Sequence, residues 1–146
     1  MEQTDYNIPP APVSESEDAK QLPAFRYKNQ VIDAIERSTI TLVTGGTGCG
    51  KTTQVPQFLL ERARETNTPL RIMCTQPRRL PAIAVAERVA KERGEPLGTT
   101  VGYHIRLEKM TSPETVLTYC TSGVLMRMLS SDNVDNIEYS HIILAS

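Results

Sequence analysis

The sequence has 146 residues, of which 39% are hydrophobic and 23% are charged. A chain of this length suits one domain around one hydrophobic core, and its composition disfavours collagen-like, coiled-coil and wholly disordered chains. It contains no run of about eighteen apolar residues and no basic-then-apolar leader, so we expect neither a membrane span nor a secretory signal.

The charges are divided unevenly along the chain. The formal net charge is −1, but residues 1–20 hold five acids and one base, a net of −4, so the remaining residues carry +3. A mildly basic body is compatible with a polyanionic partner. The chain has three cysteines, Cys49, Cys74 and Cys120. Their number is odd, and they lack the close spacing of a zinc site or a disulfide framework. We therefore expect a reducing, intracellular location, either cytoplasmic or nuclear.

The first 21 residues predict a flexible arm. They hold three prolines, a cluster of serine and acidic residues and almost no apolar run, so little would offset the entropy of ordering them. After this arm, Val31, Ile32 and Ile35 predict a helix, and the β-branched segment 39–44 predicts a strand.

Strands and helices then alternate. The predicted strands are 70–75, 116–120 and 141–145, and the predicted helices are 51–65, 81–93 and 122–129. This alternation predicts βαβ units with right-handed crossovers, and therefore an α/β fold with a mainly parallel sheet. Pro56 lies inside the helix 51–65, where it removes one backbone hydrogen bond, and no functional role for it follows from the sequence.

A phosphate-binding motif joins the first predicted strand to the next helix. The pattern G-x-x-x-x-G-K-[ST] is formed by Gly45, Gly46, Thr47, Gly48, Cys49, Gly50, Lys51 and Thr52. Glycines let several backbone N–H groups approach one phosphate, and the start of the helix attracts the same anion. We expect Lys51 to reach the β- and γ-phosphates and the Thr52 hydroxyl to ligate Mg²⁺. A glycine-rich turn with a surface lysine is the alternative, which the flanking strand and helix disfavour.

Two polar turns follow the next two predicted strands. Arg78 and Arg79 can form forked hydrogen bonds to phosphates, or they can remain solvated surface charges. The hydroxyls of Thr121 and Ser122 can cap the following helix, or they can donate to a nucleic-acid backbone. Because the carboxyl ends of parallel strands meet at one edge, we expect both turns to lie on the same side of the sheet as the phosphate motif.

Together these segments resemble the first RecA-like domain of DEAH/RNA helicase A-type helicases of superfamily two. The matching stretches are GGTGCGKTTQVPQFLL (45–60), CTQPRRLPAIAVAERVAKERGE (74–95), VGYHIRLE (101–108), CTSGVLMRML (120–129) and SHIIL (140–144). The resemblance implies a three-layer P-loop NTPase fold for residues 22–146, incomplete at its C-terminus. It also implies that the parent protein is an ATP-dependent RNA helicase.

The resemblance implies roles for individual residues as well. ATP and Mg²⁺ would be held by Gly48, Gly50, Lys51 and Thr52, with Thr53 as a neighbour and Arg88 stacked on the adenine. The RNA backbone would be contacted by Arg78, Arg79 and Thr121. Such contacts predict binding that tolerates changes of RNA sequence and weakens with salt.

The chain departs from this family after residue 144. The family continues with Asp-Glu-x-His, whereas Ala145 and Ser146 stand where the Mg²⁺-ordering aspartate and the water-activating glutamate would be. The second RecA-like domain, which supplies a phosphate-stabilising arginine, is also absent from these 146 residues. We therefore expect hydrolysis of ATP in the parent helicase and negligible hydrolysis by this polypeptide alone.

Two interpretations stay open. The chain is either a piece of an RNA helicase that couples ATP hydrolysis to unwinding, or a non-catalytic module that binds nucleotide and RNA. An unrelated P-loop enzyme such as a small kinase is disfavoured, because it would leave the two polar turns without a purpose. No membrane partner is expected, and the sequence identifies no protein partner.

Overall fold

The computed structural model describes residues 20–130 and 139–145. Its helices are α1 (Pro23–Arg26), α2 (Lys28–Arg37), α3 (Lys51–Glu65), α4 (Arg79–Glu92) and α5 (Ser122–Leu129). Its strands are β1 (Ile72–Gln76), β2 (Val101–Ile105), β3 (Glu108–Met110), β4 (Leu117–Thr121) and β5 (His141–Leu144). The predicted arm lies outside the described residues apart from its last two, and so does Ser146. The boundary drawn after residue 21 stays a prediction.

Within the described residues, the five strands form one sheet in the order β3-β2-β4-β1-β5. The β2–β4, β4–β1 and β1–β5 pairs are parallel, and β3 is antiparallel to β2. The predicted α/β fold with a mainly parallel sheet is therefore confirmed. Ile72 lies opposite Leu117 and Gln76 lies opposite Thr121, so β1 and β4 end together at one edge of the sheet.

Helices cover both faces of this sheet. Successive side chains of a strand point to opposite faces, so neighbouring residues of β1 enter different cores. Ile72 and Cys74 belong to the larger core, together with residues of α3 and α4. Met73 packs on the other face, with Cys120 and residues of α5. This is the three-layer arrangement that the resemblance implies.

The strand predicted over residues 39–44 is wrong. This segment forms no ladder with any described strand, and the side chains of Ile40 and Leu42 are 88% and 86% exposed. It lies beside α2, where Thr41 Oγ1 donates to the carbonyl oxygen of Ala34 at 3.2 Å. β-branched residues favour extended backbone, but they do not supply the hydrogen-bonding neighbour that a strand needs.

The β2–β3 hairpin is absent from the sequence-based prediction. Its strands are short, and Gly102 interrupts the apolar pattern of the first. The glycine is required, because a Cβ at this position would lie 2.2 Å from the carbonyl oxygen of Met110. Tyr103 Oη donates to Glu108 Oε1 at 2.5 Å across the hairpin, and this hydrogen bond raises the pKa of Tyr103. The other predicted helices and strands agree with the structure within two residues at each end.

Candidate functional site

The phosphate motif forms a tight loop that leads into α3. Gly48 and Gly50 have φ angles of 77° and 93°, a left-handed conformation that strains any residue with a Cβ. A Cβ at Gly46 or Gly48 would meet open space, whereas a Cβ at Gly50 would lie 2.9 Å from Leu22 Cδ1. The loop is therefore open at its centre and packed against the chain where the helix begins.

Residues 24–28, which run into the first residue of α2, contact both this loop and α3. The backbone N–H of Ala24 donates to the carbonyl oxygen of Cys49 at 3.0 Å. The rings of Phe25 and Phe58 meet edge to face, with centroids 6.0 Å apart, and Lys28 forms an ion pair with Glu61 of α3. Sequence reasoning assigned no role to this segment, because its contacts with the loop and with α3 are tertiary.

Lys51 folds back into its own loop. Its Nζ donates to the carbonyl oxygens of Gly45 at 2.5 Å and Gly46 at 3.2 Å, and it lies 3.5 Å from Cys49 Sγ. Thr52 is partly buried in the first turn of α3, and its hydroxyl makes no hydrogen bond with another described residue. The first two residues of the helix thus supply an ammonium group that is directed into the loop and a hydroxyl that no described residue uses.

The loop and Arg88 of α4 line one cavity of about 390 Å³. Its other lining residues are Leu22, Gly45, Thr47, Gly48, Cys49, Gly50, Lys51, Thr52 and Thr53. None of these lining residues is acidic, and the ammonium, the guanidinium and the helix start all favour an anion. Of the residues that sequence reasoning assigned to ATP, all except Gly46 line this cavity.

Arg88 is held at the rim of this cavity by Glu92. Arg88 Nε lies 3.1 Å from Glu92 Oε1, and the side chains are 57% and 12% exposed. The other carboxylate oxygen accepts hydrogen bonds from Gln54 Nε2 at 3.1 Å and Gln57 Nε2 at 2.8 Å. Glu92 thus joins α4 to α3 and orients Arg88. The i,i+4 spacing with Arg88 was the available sequence signal for this residue.

The two polar turns lie next to each other at one edge of the sheet. Arg78 precedes α4 in extended conformation and Arg79 begins the helix; both are exposed, and neither forms an ion pair with another described residue. Thr121 ends the neighbouring strand and is 8% exposed, while Ser122 is exposed. The side chain of Thr121 makes no capping hydrogen bond with α5, so the capping role considered for it is not observed.

Two further kinds of feature are relevant to the described residues, clusters of metal-binding side chains and membrane-spanning helices. No group of three His, Cys, Asp or Glu side chains in residues 20–130 and 139–145 is arranged to hold a metal ion. Thr52 is the residue of this cavity whose hydroxyl could serve as a ligand for Mg²⁺, an ion that usually keeps several waters and binds through substrate phosphates. None of the described helices is both long enough and apolar enough to span a lipid bilayer.

Sequence comparisons identify relatives that match most of the chain. No family model matches it. The DExH-box ATP-dependent RNA helicase DExH1 of Arabidopsis thaliana is 46% identical over 128 residues, which is 86% of this chain and 13% of that protein. The putative ATP-dependent RNA helicase DHX57 of Homo sapiens is 47% identical over 132 residues, 88% of this chain and 9% of that protein. The chain thus spans about a tenth of the length of these relatives.

Proposed function

We propose a function from the premise that this chain is homologous to one segment of the DExH-box ATP-dependent RNA helicases, as its motifs indicated. In this proposal the chain binds ATP with Mg²⁺ at the phosphate loop, and it binds an RNA backbone at the ends of β1 and β4. The observation that carries the proposal is the cavity that the loop shares with Arg88.

The nucleotide part of the proposal assigns one task to each polar group. Amides of the loop and the Nζ of Lys51 bind the β- and γ-phosphates, which requires Lys51 to leave the carbonyl oxygens of Gly45 and Gly46. The hydroxyl of Thr52 ligates Mg²⁺, which in such sites neutralises phosphate charge. Arg88 stacks on the adenine from the cavity rim, with Glu92 fixing the direction of its guanidinium.

The RNA part of the proposal rests on the register of β1 and β4. The opposition of Gln76 and Thr121 places the arginine turn beside the hydroxyl turn. Exposed guanidinium groups without a protein partner form forked hydrogen bonds with phosphate oxygens. Contacts of this kind position a strand without reading its bases, so the proposal predicts little dependence on RNA sequence.

Coupling of ATP hydrolysis to RNA unwinding is proposed for the parent helicase. For the 146-residue chain, Ala145 favours the second candidate function, a non-catalytic module that binds nucleotide and RNA. Ala145 follows β5, and its backbone N–H donates to the carbonyl oxygen of Thr75 at 3.3 Å, so it lies at the edge where the family's aspartate would face the phosphates. A methyl group there has no oxygen to order Mg²⁺. The intracellular location inferred from the cysteines stays a prediction.

Titration with a fluorescent ATP analogue and Mg²⁺ tests the nucleotide part. We expect a saturable signal for the wild-type chain and at least about tenfold weaker binding for Lys51→Ala, because one charge-assisted phosphate contact is lost. Lys91→Ala is the matched control, since Lys91 is exposed on α4 and does not line the cavity. Equal affinities of the wild type and Lys51→Ala would overturn the proposal.

Phosphate release separates the two candidate functions. The non-catalytic module predicts no release of phosphate from ATP above the level of Lys51→Ala, with RNA present or absent. Release that depends on Lys51 would instead show that the chain is itself an ATPase.

A further inference from the structure

Pro56 leaves one carbonyl group of α3 without its usual partner. In an α-helix the N–H of each residue donates to the carbonyl oxygen four residues earlier. Proline has no N–H, so the carbonyl oxygen of Thr52 receives nothing from position 56. Pro56 is buried, and the helix continues through it from Lys51 to Glu65. An unpaired carbonyl in such surroundings destabilises the helix unless another donor reaches it.

Tyr119 of β4 supplies that donor. Its Oη donates to the carbonyl oxygen of Thr52 at 2.8 Å, across 67 residues of sequence. Tyr119 is fully buried in the larger core, between the sheet and the helices. Burial raises the pKa of this phenol well above its ordinary value, so the hydroxyl keeps its proton and remains a donor at neutral pH.

The position of this hydrogen bond connects the two halves of the proposed site. Thr52 is the residue whose hydroxyl is proposed to ligate Mg²⁺, and its carbonyl is the group that Tyr119 holds. Tyr119 also lies two residues before Thr121, at the proposed RNA edge, and opposite Cys74 in the parallel ladder. The hydroxyl of Tyr119 therefore fixes the first turn of α3 against the central strands of the sheet.

We propose that Tyr119 is a positioning residue for Thr52, replacing the backbone donor that Pro56 lacks and thereby holding the Mg²⁺-ligating turn in place. The role of the hydrogen bond in folding is independent of the proposed function, whereas its effect on Mg²⁺ rests on that function. Tyr119 touches neither phosphate nor metal; it acts through the backbone of Thr52.

A double-mutant cycle tests the hydrogen bond itself. Tyr119→Phe removes the donor, and Pro56→Ala restores an N–H four residues after Thr52. When Pro56 is present, we expect Tyr119→Phe to lower the equilibrium ratio of folded to unfolded chain by about tenfold. In the Pro56→Ala background the loss should be less than about threefold, because Thr52 has a backbone partner again. Equal losses in both backgrounds, measured by urea unfolding, would overturn the proposal.

The Mg²⁺ dependence of nucleotide binding tests the positioning role. Tyr119→Phe should raise the Mg²⁺ concentration for half-maximal binding of a fluorescent ATP analogue several-fold, and the double variant should restore it. Binding of the analogue in excess chelator should not change. Tyr103→Phe is the matched control, because Tyr103 lies opposite Tyr119 on β2 and donates to Glu108 instead.

The outcomes distinguish this inference from the proposed function. If the unfolding cycle shows that Tyr119 and Pro56 interact, but Tyr119→Phe leaves the Mg²⁺ concentration for half-maximal binding unchanged, the positioning role is overturned. If Pro56→Ala does not fold, the comparison of Tyr119→Phe with Tyr103→Phe still decides, because equal Mg²⁺ midpoints would reject the inference. A wild-type chain that binds no nucleotide would overturn the proposed function, and the unfolding cycle would then decide the hydrogen bond alone.

Discussion

Glu92 and Arg88 form an ion pair at 3.1 Å on one face of α4, and the same carboxylate receives hydrogen bonds from two glutamines of α3. Arg88 is more than half exposed, so its ion pair contributes little to stability. The glutamine hydrogen bonds are more shielded, and they join two helices. The anchoring of α4 to α3 therefore depends on Glu92 more than on Arg88.

Replacement of Glu92 should destabilise the chain. Glu92→Ala removes the charged acceptor that the amides of Gln54 and Gln57 share, and each amide keeps only its hydrogen bond to Thr53. We expect the free energy of unfolding to fall by about 2 kcal/mol in urea titrations. Glu87→Ala is the control, because Glu87 is exposed on the same helix and makes no hydrogen bond or ion pair with another described residue. It should cost less than about 0.5 kcal/mol. Equal costs for the two variants would contradict the anchoring role.

Loss of the arginine turn should weaken RNA binding and reduce its dependence on salt. The double variant Arg78→Ala, Arg79→Ala removes up to two phosphate contacts, and each lost contact lowers the slope of log affinity against log salt by about 0.7 for a single strand. Fluorescence anisotropy of a labelled oligoribonucleotide at several KCl concentrations measures this slope. Arg64→Ala is the control, because Arg64 is exposed in the last turn of α3, and this variant should leave the salt slope unchanged. An unchanged slope in the double variant would count against this RNA surface.

Two histidines predict a loss of stability on mild acidification. Partial burial lowers the pKa of His104, as do Lys109 and Arg127, and partial burial also lowers the pKa of His141. The unfolded chain, with histidine pKa values near 6.5, therefore binds protons that the folded chain does not. This contribution to stability is complete above about pH 6.5 and is lost as the pH falls through the folded-state pKa values.

Urea unfolding between about pH 7.5 and about pH 5 measures this effect. In the wild type, the urea concentration at the midpoint of unfolding should decrease as the pH is lowered. This decrease should be smaller in His104→Gln and smallest in the variant with both histidines replaced by glutamine. The same pH dependence in the doubly substituted chain would show that other groups cause the loss.

The three cysteines should differ strongly in reactivity. Burial raises the pKa of Cys74 and Cys120 to about 12. At about pH 8, only roughly one thiol in ten thousand at these positions is the reactive thiolate, and both side chains are buried. Cys49 is partly exposed in the phosphate loop. We expect iodoacetamide to label one site in the folded chain and three after unfolding, as counted by mass spectrometry.

Protection of Cys49 provides a second test of the proposed nucleotide site. ATP with Mg²⁺ should slow the labelling of Cys49, because Cys49 lines the same cavity as Lys51. The protection should disappear in Lys51→Ala. Rapid labelling of Cys74 in the folded chain, or labelling of Cys49 at the same rate with and without nucleotide, would contradict these expectations.

The local elements of this fold are predictable from sequence where one signal fixes them. The bounds of α3 follow from the phosphate motif, which marks Lys51, and from the apolar period that continues to Glu65. The buried strands β1 and β4 follow from short β-branched and aromatic runs. The assignment of Arg78 and Thr121 to one edge also follows, because it needs only parallel pairing, which the structure confirms.

The remaining features depend on tertiary partners that a single sequence does not display. Residues 39–44 have the composition of a strand, but strand formation requires a neighbouring backbone, and none of the described strands pairs with them. The roles of Glu92 and Tyr119 arise from distances between separate elements. The sequence shows that Pro56 lacks an N–H, but it does not show that the hydroxyl of Tyr119 replaces this donor.

The hydrogen bond between Tyr119 and Thr52 also affects the order in which Pro56 and Tyr119 can be substituted during evolution. A codon change that replaces Pro56 first returns an amide donor to Thr52, after which loss of the phenol at position 119 is tolerated. The reverse order passes through an intermediate whose carbonyl has no donor. Mutational histories of such chains should therefore contain the first route more often than the second.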